Sequence, residues 1–179
     1  MEKISAIERE IFDELRKYKV TLISVPQENY FELLAGFFSI LFKFSERVCY
    51  VNLGYSFDKL LKNFSQNKVK TNNLFFINFR SEGKSKKRNC EFLPLSSNLE
   101  DLSVSLIKNF QLGKYEYLIF DSISELLEQE EIKVIIKFIR AVTKYFKPFE
   151  TSIILLYKKD SKEYFFKKIS GFADKIIII

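Results

Sequence analysis

Tyr117, Leu118, Ile119 and Phe120 form a short apolar run that ends in a carboxylate, Asp121, followed at once by Ser122 and a stretch with helical spacing. A buried strand closed by an acid is where nucleotide hydrolases hold magnesium. That chemistry needs a second part, a glycine-rich turn with a lysine to cradle the phosphates. The turn in the matching place, after the strand Val20–Val25, reads Pro26-Gln27-Glu28-Asn29-Tyr30. It has neither glycine nor lysine, and Glu28 sets a negative charge where phosphates would lie. Asp121, Ser122, Glu28 and Asn29 are therefore the candidate residues of a vestigial nucleotide site.

Each of these residues also has a structural role open to it. Ser122 and Glu125 fit the S-x-x-E capping box, in which a serine and a glutamate satisfy the first amides of a helix. Such a cap is typically worth about 1 kcal/mol, reason enough to keep Ser122 without a ligand. Asn29 is expected to cap the helix after the first turn, and Glu28 to complement its positive start. One carboxylate with no phosphate beside it makes a poor magnesium site. The structural roles are favoured, and neither a metal nor a cofactor is expected.

Two basic features are candidates for a polyanion. Lys84, Lys86, Lys87 and Arg88 crowd a polar segment, Arg80–Asn89, that reads as an exposed loop. Lys133, Lys137, Arg140, Lys144 and Lys147 recur at intervals of four, three, four and three, with Ile132, Ile135, Ile139, Val142 and Phe146 on the opposite side. This spacing predicts a basic stripe on the outer face of a packed helix. Such a stripe is most often only solvated. Of all the surfaces here, it is the one expected to meet nucleic acid or an acidic protein, if any does.

Other chemistries are excluded by composition. The chain has no histidine, so histidine triads and histidine metal ligands are absent. Cys49 and Cys90 form neither a disulfide framework nor a zinc site. Glu100, Asp101, Glu125, Glu128, Glu130 and Glu131 fall in first turns or on exposed faces, where caps and dipole pairing explain them. A net charge of +6 permits a polyanionic partner without requiring one. With 47% hydrophobic and 29% charged residues the chain has the balance of a soluble globular protein. Its apolar runs are closed by charges well before a membrane span, as at Leu33–Phe42, and Met1-Glu2-Lys3-Ile4 opens a mixed-charge helix without the apolar centre of a signal peptide. No membrane association and a cytoplasmic location are expected.

The elements that must position these residues alternate. Ile4, Ile7, Ile11, Leu15 and Tyr18 mark an amphipathic helix over residues 1–18, expected to pack on one domain spanning 19–179. Strands are predicted at Val20–Val25, Arg47–Leu53, Leu74–Phe79, Tyr117–Phe120, Thr151–Tyr157 and Lys175–Ile179, with helices between them. One of these, capped by Ser97 or Asn98, runs to Phe110; another spans Ile132–Phe146. Strands that are apolar throughout, each followed by a helix, indicate a parallel sheet covered on both faces, hence a three-layer α/β/α domain. The working crevice of such a sheet lies beyond the carboxyl ends of its strands. Here that edge is lined by Pro26–Tyr30, Gly54–Ser56, Asp121–Ser122 and Lys158–Asp160.

The segments VTLISVPQENYFELLAGFF, RVCYVNLGYSFDKLLKNF, LFFINF, SNLEDLSVSLI, YLIFDSISELL and FADKIIII, in that order, cover most of the chain after Tyr18. This order resembles the RecA superfamily, and within it the KaiC-like ATPases of archaea and bacteria. The resemblance implies a RecA/P-loop-like core, with Asp121 matching the magnesium-side carboxylate. The departures are as informative. Family ATPases carry glycines, lysine and Ser/Thr in the first turn and an acid just after the second strand, where this chain has Pro26–Tyr30 and Gly54-Tyr55-Ser56. Without those groups phosphoryl transfer loses its main electrostatic support. The expectation is a pseudo-ATPase that is not an enzyme and serves as a protein-interaction or regulatory module, with a protein partner or self-association. A nucleic-acid-binding, recombinase-like accessory and a residual nucleotide binder are the alternatives.

Overall fold

The computed structural model describes residues 13–45, 47–82, 89–159 and 163–179. Strands β1 (Val20–Pro26), β2 (Val48–Asn52), β3 (Leu74–Asn78), β4 (Cys90–Phe92), β5 (Tyr117–Asp121), β6 (Ser152–Lys159) and β7 (Lys175–Ile178) form one sheet. Its order is β4-β3-β2-β5-β6-β1-β7, and every pairing is parallel. The helices are α1 (Tyr30–Phe44), α2 (Phe57–Gln66), α3 (Leu99–Leu112), α4 (Ile132–Phe146) and α5 (Glu163–Ser170), with a 3-10 helix at Ile123–Glu128.

Alternate residues of each strand feed two separate cores, as the period of two requires. Leu22, Val51, Leu118, Phe120, Ile153 and Leu155 pack with Leu102 and Leu106 of α3, Ile135 and Ile139 of α4, and Phe165 of α5. Ile23, Tyr50, Ile119, Ile154 and Leu156 pack with Leu34 and Phe38 of α1 and Leu60 and Phe64 of α2. The molecule is thus a three-layer α/β/α sandwich around a parallel sheet. Cys49 is buried in the first core, where loss of solvent pushes its thiol well up.

Residues 13–17 are helical, and Leu15 is buried in the second core. Ile4, Ile7 and Ile11, which with Leu15 define the expected N-terminal helix, lie outside the described residues. So do Lys84, Lys86, Lys87 and Arg88. Among the described residues no helix is long and apolar enough to cross a membrane.

Three local expectations need correction. The edge strand β4 is additional to those expected; it is only three half-buried residues long and follows the polar loop. The segment after Asp121 is a 3-10 helix whose N-cap, Ser122, makes no side-chain cap bond. Asn29 stands at the N-cap position of α1, also without a side-chain cap bond. By contrast α4 begins and ends where its periodicity placed it.

Candidate functional site

Parallel pairing in register sets Asn78, Asn52 and Asp121 side by side at the carboxyl ends of β3, β2 and β5. All three are at most 1% exposed. Buried polar groups must find partners, and each of these does. Asn52 donates through Nδ2 to Asn78 Oδ1 at 3.0 Å and to the carbonyl of Tyr55 at 2.7 Å, and its Oδ1 accepts the Tyr55 amide at 3.1 Å. The β2–α2 loop is thereby tied to the sheet and presents the Tyr55 ring over the crevice.

The Asp121 carboxylate is enclosed by two phenols. Tyr30, the first residue of α1, donates its hydroxyl to Oδ1, and Tyr50, in the middle of β2, donates to Oδ2. Burial pushes the Asp121 carboxyl up to about 6, against the opposing pull of the two hydroxyls and of Lys158. Burial and the neighbouring carboxylate raise both tyrosines well above their ordinary range. They therefore remain protonated donors.

Lys158, near the end of β6, forms the outer layer. Its ammonium pairs with Glu125 and lies 4.2 Å from the centre of the Tyr55 ring and 5.4 Å from that of Tyr30. Its backbone amide donates to Ser122 Oγ at 3.1 Å and Ser124 Oγ at 3.3 Å. Ser122 Oγ also bonds the Leu156 carbonyl at 3.2 Å. Ser122 thus stitches β5 to β6 instead of capping a helix, and Glu125 serves Lys158 instead of an amide. Glu125 crosses directly over Gly54, where an added Cβ would lie 2.4 Å from its Cγ.

Above this buried layer is a cavity of about 600 Å³ lined by Glu28, Asn29, Tyr55, Lys59, Glu125 and Lys158 among others. Glu28 and Asn29 are exposed on its rim, whereas Asp121 and Ser122 are fully buried below it. The four candidate residues therefore do not converge on one surface. Tyr30, Tyr55 and Lys158, which complete the cluster with Tyr50, lie in segments expected to line the crevice but had no role assigned to them, and Tyr50, inside an apolar strand, read as core.

A magnesium–nucleotide complex does not suit this donor set. Both Asp121 oxygens already accept hydrogen bonds, and Glu28, Glu32 and Glu128 on the cavity wall face only Lys59 beyond the Lys158–Glu125 pair. Among the described residues no group of three or more Cys, Asp or Glu side chains is arranged to hold a metal ion.

The five basic residues of the stripe, Lys133, Lys137, Arg140, Lys144 and Lys147, are all exposed. The all-parallel seven-stranded sheet is compatible with a RecA/P-loop-like core. No family model and no curated protein matches the chain.

Proposed function

We propose that this chain is a non-catalytic RecA/KaiC-like domain, a pseudo-ATPase that acts as a protein-interaction or regulatory module. One observation carries the reading: the Tyr30 hydroxyl, delivered by the turn that would hold phosphates, closes on the carboxylate that would serve magnesium. Phosphoryl transfer depends on positioning and on charge stabilisation by backbone amides, cations and metal. The turn here offers a tyrosine and a glutamate instead. A fold freed from that chemistry retains its outer surfaces, and a partner protein, a second copy or an active relative is the proposed ligand.

The experiment is thermal unfolding with and without millimolar ATP and magnesium, paired with sedimentation of the chain alone and in native lysate. A ligand present at one hundred times its Kd stabilises the native state by about 2.7 kcal/mol. In a domain of this size each kcal/mol moves the midpoint by roughly 2–4 °C. No shift, together with a defined assembly, is the expected result. A shift of several degrees that Asp121→Ala abolishes overturns the pseudo-ATPase reading. A monomer at high concentration with no recoverable partner overturns the interaction reading.

A further inference from the structure

From Ile132 to Phe149 the chain carries five lysines and arginines and no acidic residue. A helix face that is merely solvated usually mixes signs, so that neighbours three or four residues apart neutralise one another. Within this span there is no such partner; Glu130, three before Lys133, and Glu150, three after Lys147, flank its ends, but the exposed Lys133, Lys137, Lys144 and Lys147 form no ion pair with a described residue. Arg140 is exposed too, and its guanidinium lies 5.5 Å over the ring of Phe172, which holds it in the row. At 1.5 Å per residue the row runs for roughly 21 Å.

A second row runs beside it. Val134, Ala141 and Tyr145 each follow a member of the basic row by one position, which places them about 100° round the helix. All three are exposed. At the foot of the helix the Tyr145 and Phe149 rings stack, 5.7 Å between centres and 28° between planes, with Tyr145 36% and Phe149 43% exposed. Lys19 reaches the same place, its ammonium donating to the Phe149 carbonyl.

We propose that this face of α4 binds single-stranded nucleic acid, with the phosphates along the basic row and bases stacked against Tyr145. A cationic track with flanking aromatic faces is what sequence-tolerant strand binding requires. An anionic bilayer fits less well, because the apolar side that would insert, Ile135, Phe138, Ile139, Val142 and Phe146, is buried in the core. A folded acidic protein would need a central apolar patch, whereas the exposed large apolar groups here lie at the two ends of the helix. The proposal uses no residue of the Asp121 cluster, so it stands or falls independently of the pseudo-ATPase reading.

The test is fluorescence anisotropy with labelled twenty-nucleotide oligothymidylate and oligouridylate between 50 and 300 mM salt. A duplex of equal length, polyglutamate and phosphatidylserine vesicles serve as competitors. Four to five phosphate contacts predict a slope of log K against log salt of roughly −3. Charge reversal of Lys137, Arg140 and Lys144 to Glu abolishes binding. Tyr145→Ala weakens it by about fivefold or more at unchanged slope, the effect of losing one stacked base. Acetylation footprinting on the unaltered protein gives a second readout: the strand shields Lys137 and Lys144 but leaves Lys62, on the opposite layer, reactive. No binding at 50 mM salt, equal or better competition by duplex, polyglutamate or vesicles, indifference to Tyr145→Ala, or a footprint elsewhere overturns the proposal.

Discussion

Tyr30 and Asp121, ninety-one positions apart, are joined by a hydrogen bond from the tyrosine hydroxyl to the buried carboxylate. Tyr30 opens the helix that follows β1 and Asp121 ends β5, two strands that are not neighbours because β6 lies between them. The bond therefore locks the start of α1 onto the centre of the sheet. Tyr30→Phe removes the donor and leaves a carboxylate oxygen buried without it. Hydrogen bonds to charged groups are worth about 1.5–3 kcal/mol, and that is the expected loss in urea unfolding at pH 7. At pH 4 the carboxyl is protonated and the loss shrinks. Equal losses at the two pH values would show that the bond is not charge-assisted.

The raised pKa of Asp121 has a definite sign in stability. Burial moves it from 3.8 to about 6, so between those values the folded chain keeps a proton that the unfolded chain has released. Stability from this group is fully present below about pH 3.8 and is lost as pH rises through 6. A shift of this size corresponds to roughly 3 kcal/mol. Other carboxylates titrate in the same range, so the comparison is with Asp121→Asn. The wild type should lose stability relative to that variant between pH 4 and 6.5, and no further above it. A difference independent of pH would contradict the assignment.

Much of the architecture was legible because parallel strands buried on both faces must be apolar throughout, and each was flanked by a helix with a clear stripe. The capping pattern shows where such reading stops. Of the two residues expected to cap α3, Asn98 does so, and Asp101 makes the cap reciprocal: Asn98 Oδ1 accepts the Asp101 amide at 3.0 Å and Asp101 accepts the Asn98 amide at 2.9 Å. Ser122 and Glu125 have the same spacing, yet Leu156 and Lys158 claim them from the next strand. Local sequence is identical in kind at the two places; only tertiary neighbours differ. Tyr30 and Tyr50 were opaque for the same reason. Strand register, not spacing along the chain, brings their hydroxyls to Asp121.

Gly54 owes its identity to Glu125 and not to its backbone angles, since no glycine among the described residues has a positive φ. A Cβ at this position would meet Glu125 Cγ, Cδ and Cβ at 2.4, 2.7 and 2.9 Å. Gly54→Ala must push the glutamate away from Lys158, and overpacking of this kind typically costs about 1–3 kcal/mol. In a double-mutant cycle with Glu125→Ala most of that loss should disappear, giving a coupling above about 0.5 kcal/mol. Additive effects would mean that the loop resists the new methyl by some other contact.

Lys158 links the Glu125 carboxylate, the Tyr55 ring and the field at Asp121. The pair is shielded, with side chains 13% and 20% exposed, so removing one partner leaves the other in a poorly solvated place. Lys158→Met keeps the aliphatic stem over the tyrosines but deletes the charge, at an expected loss of about 2–3 kcal/mol, below the range for fully buried pairs. It also withdraws a cation that holds the Asp121 proton affinity down, so the carboxyl should titrate above 6. Carbon-detected NMR of the Asp121 carboxyl carbon follows this directly. Lys158→Met/Glu125→Gln should recover part of the stability, since no carboxylate is then stranded. An Asp121 titration unmoved by Lys158→Met would place the ammonium outside its electrostatic reach.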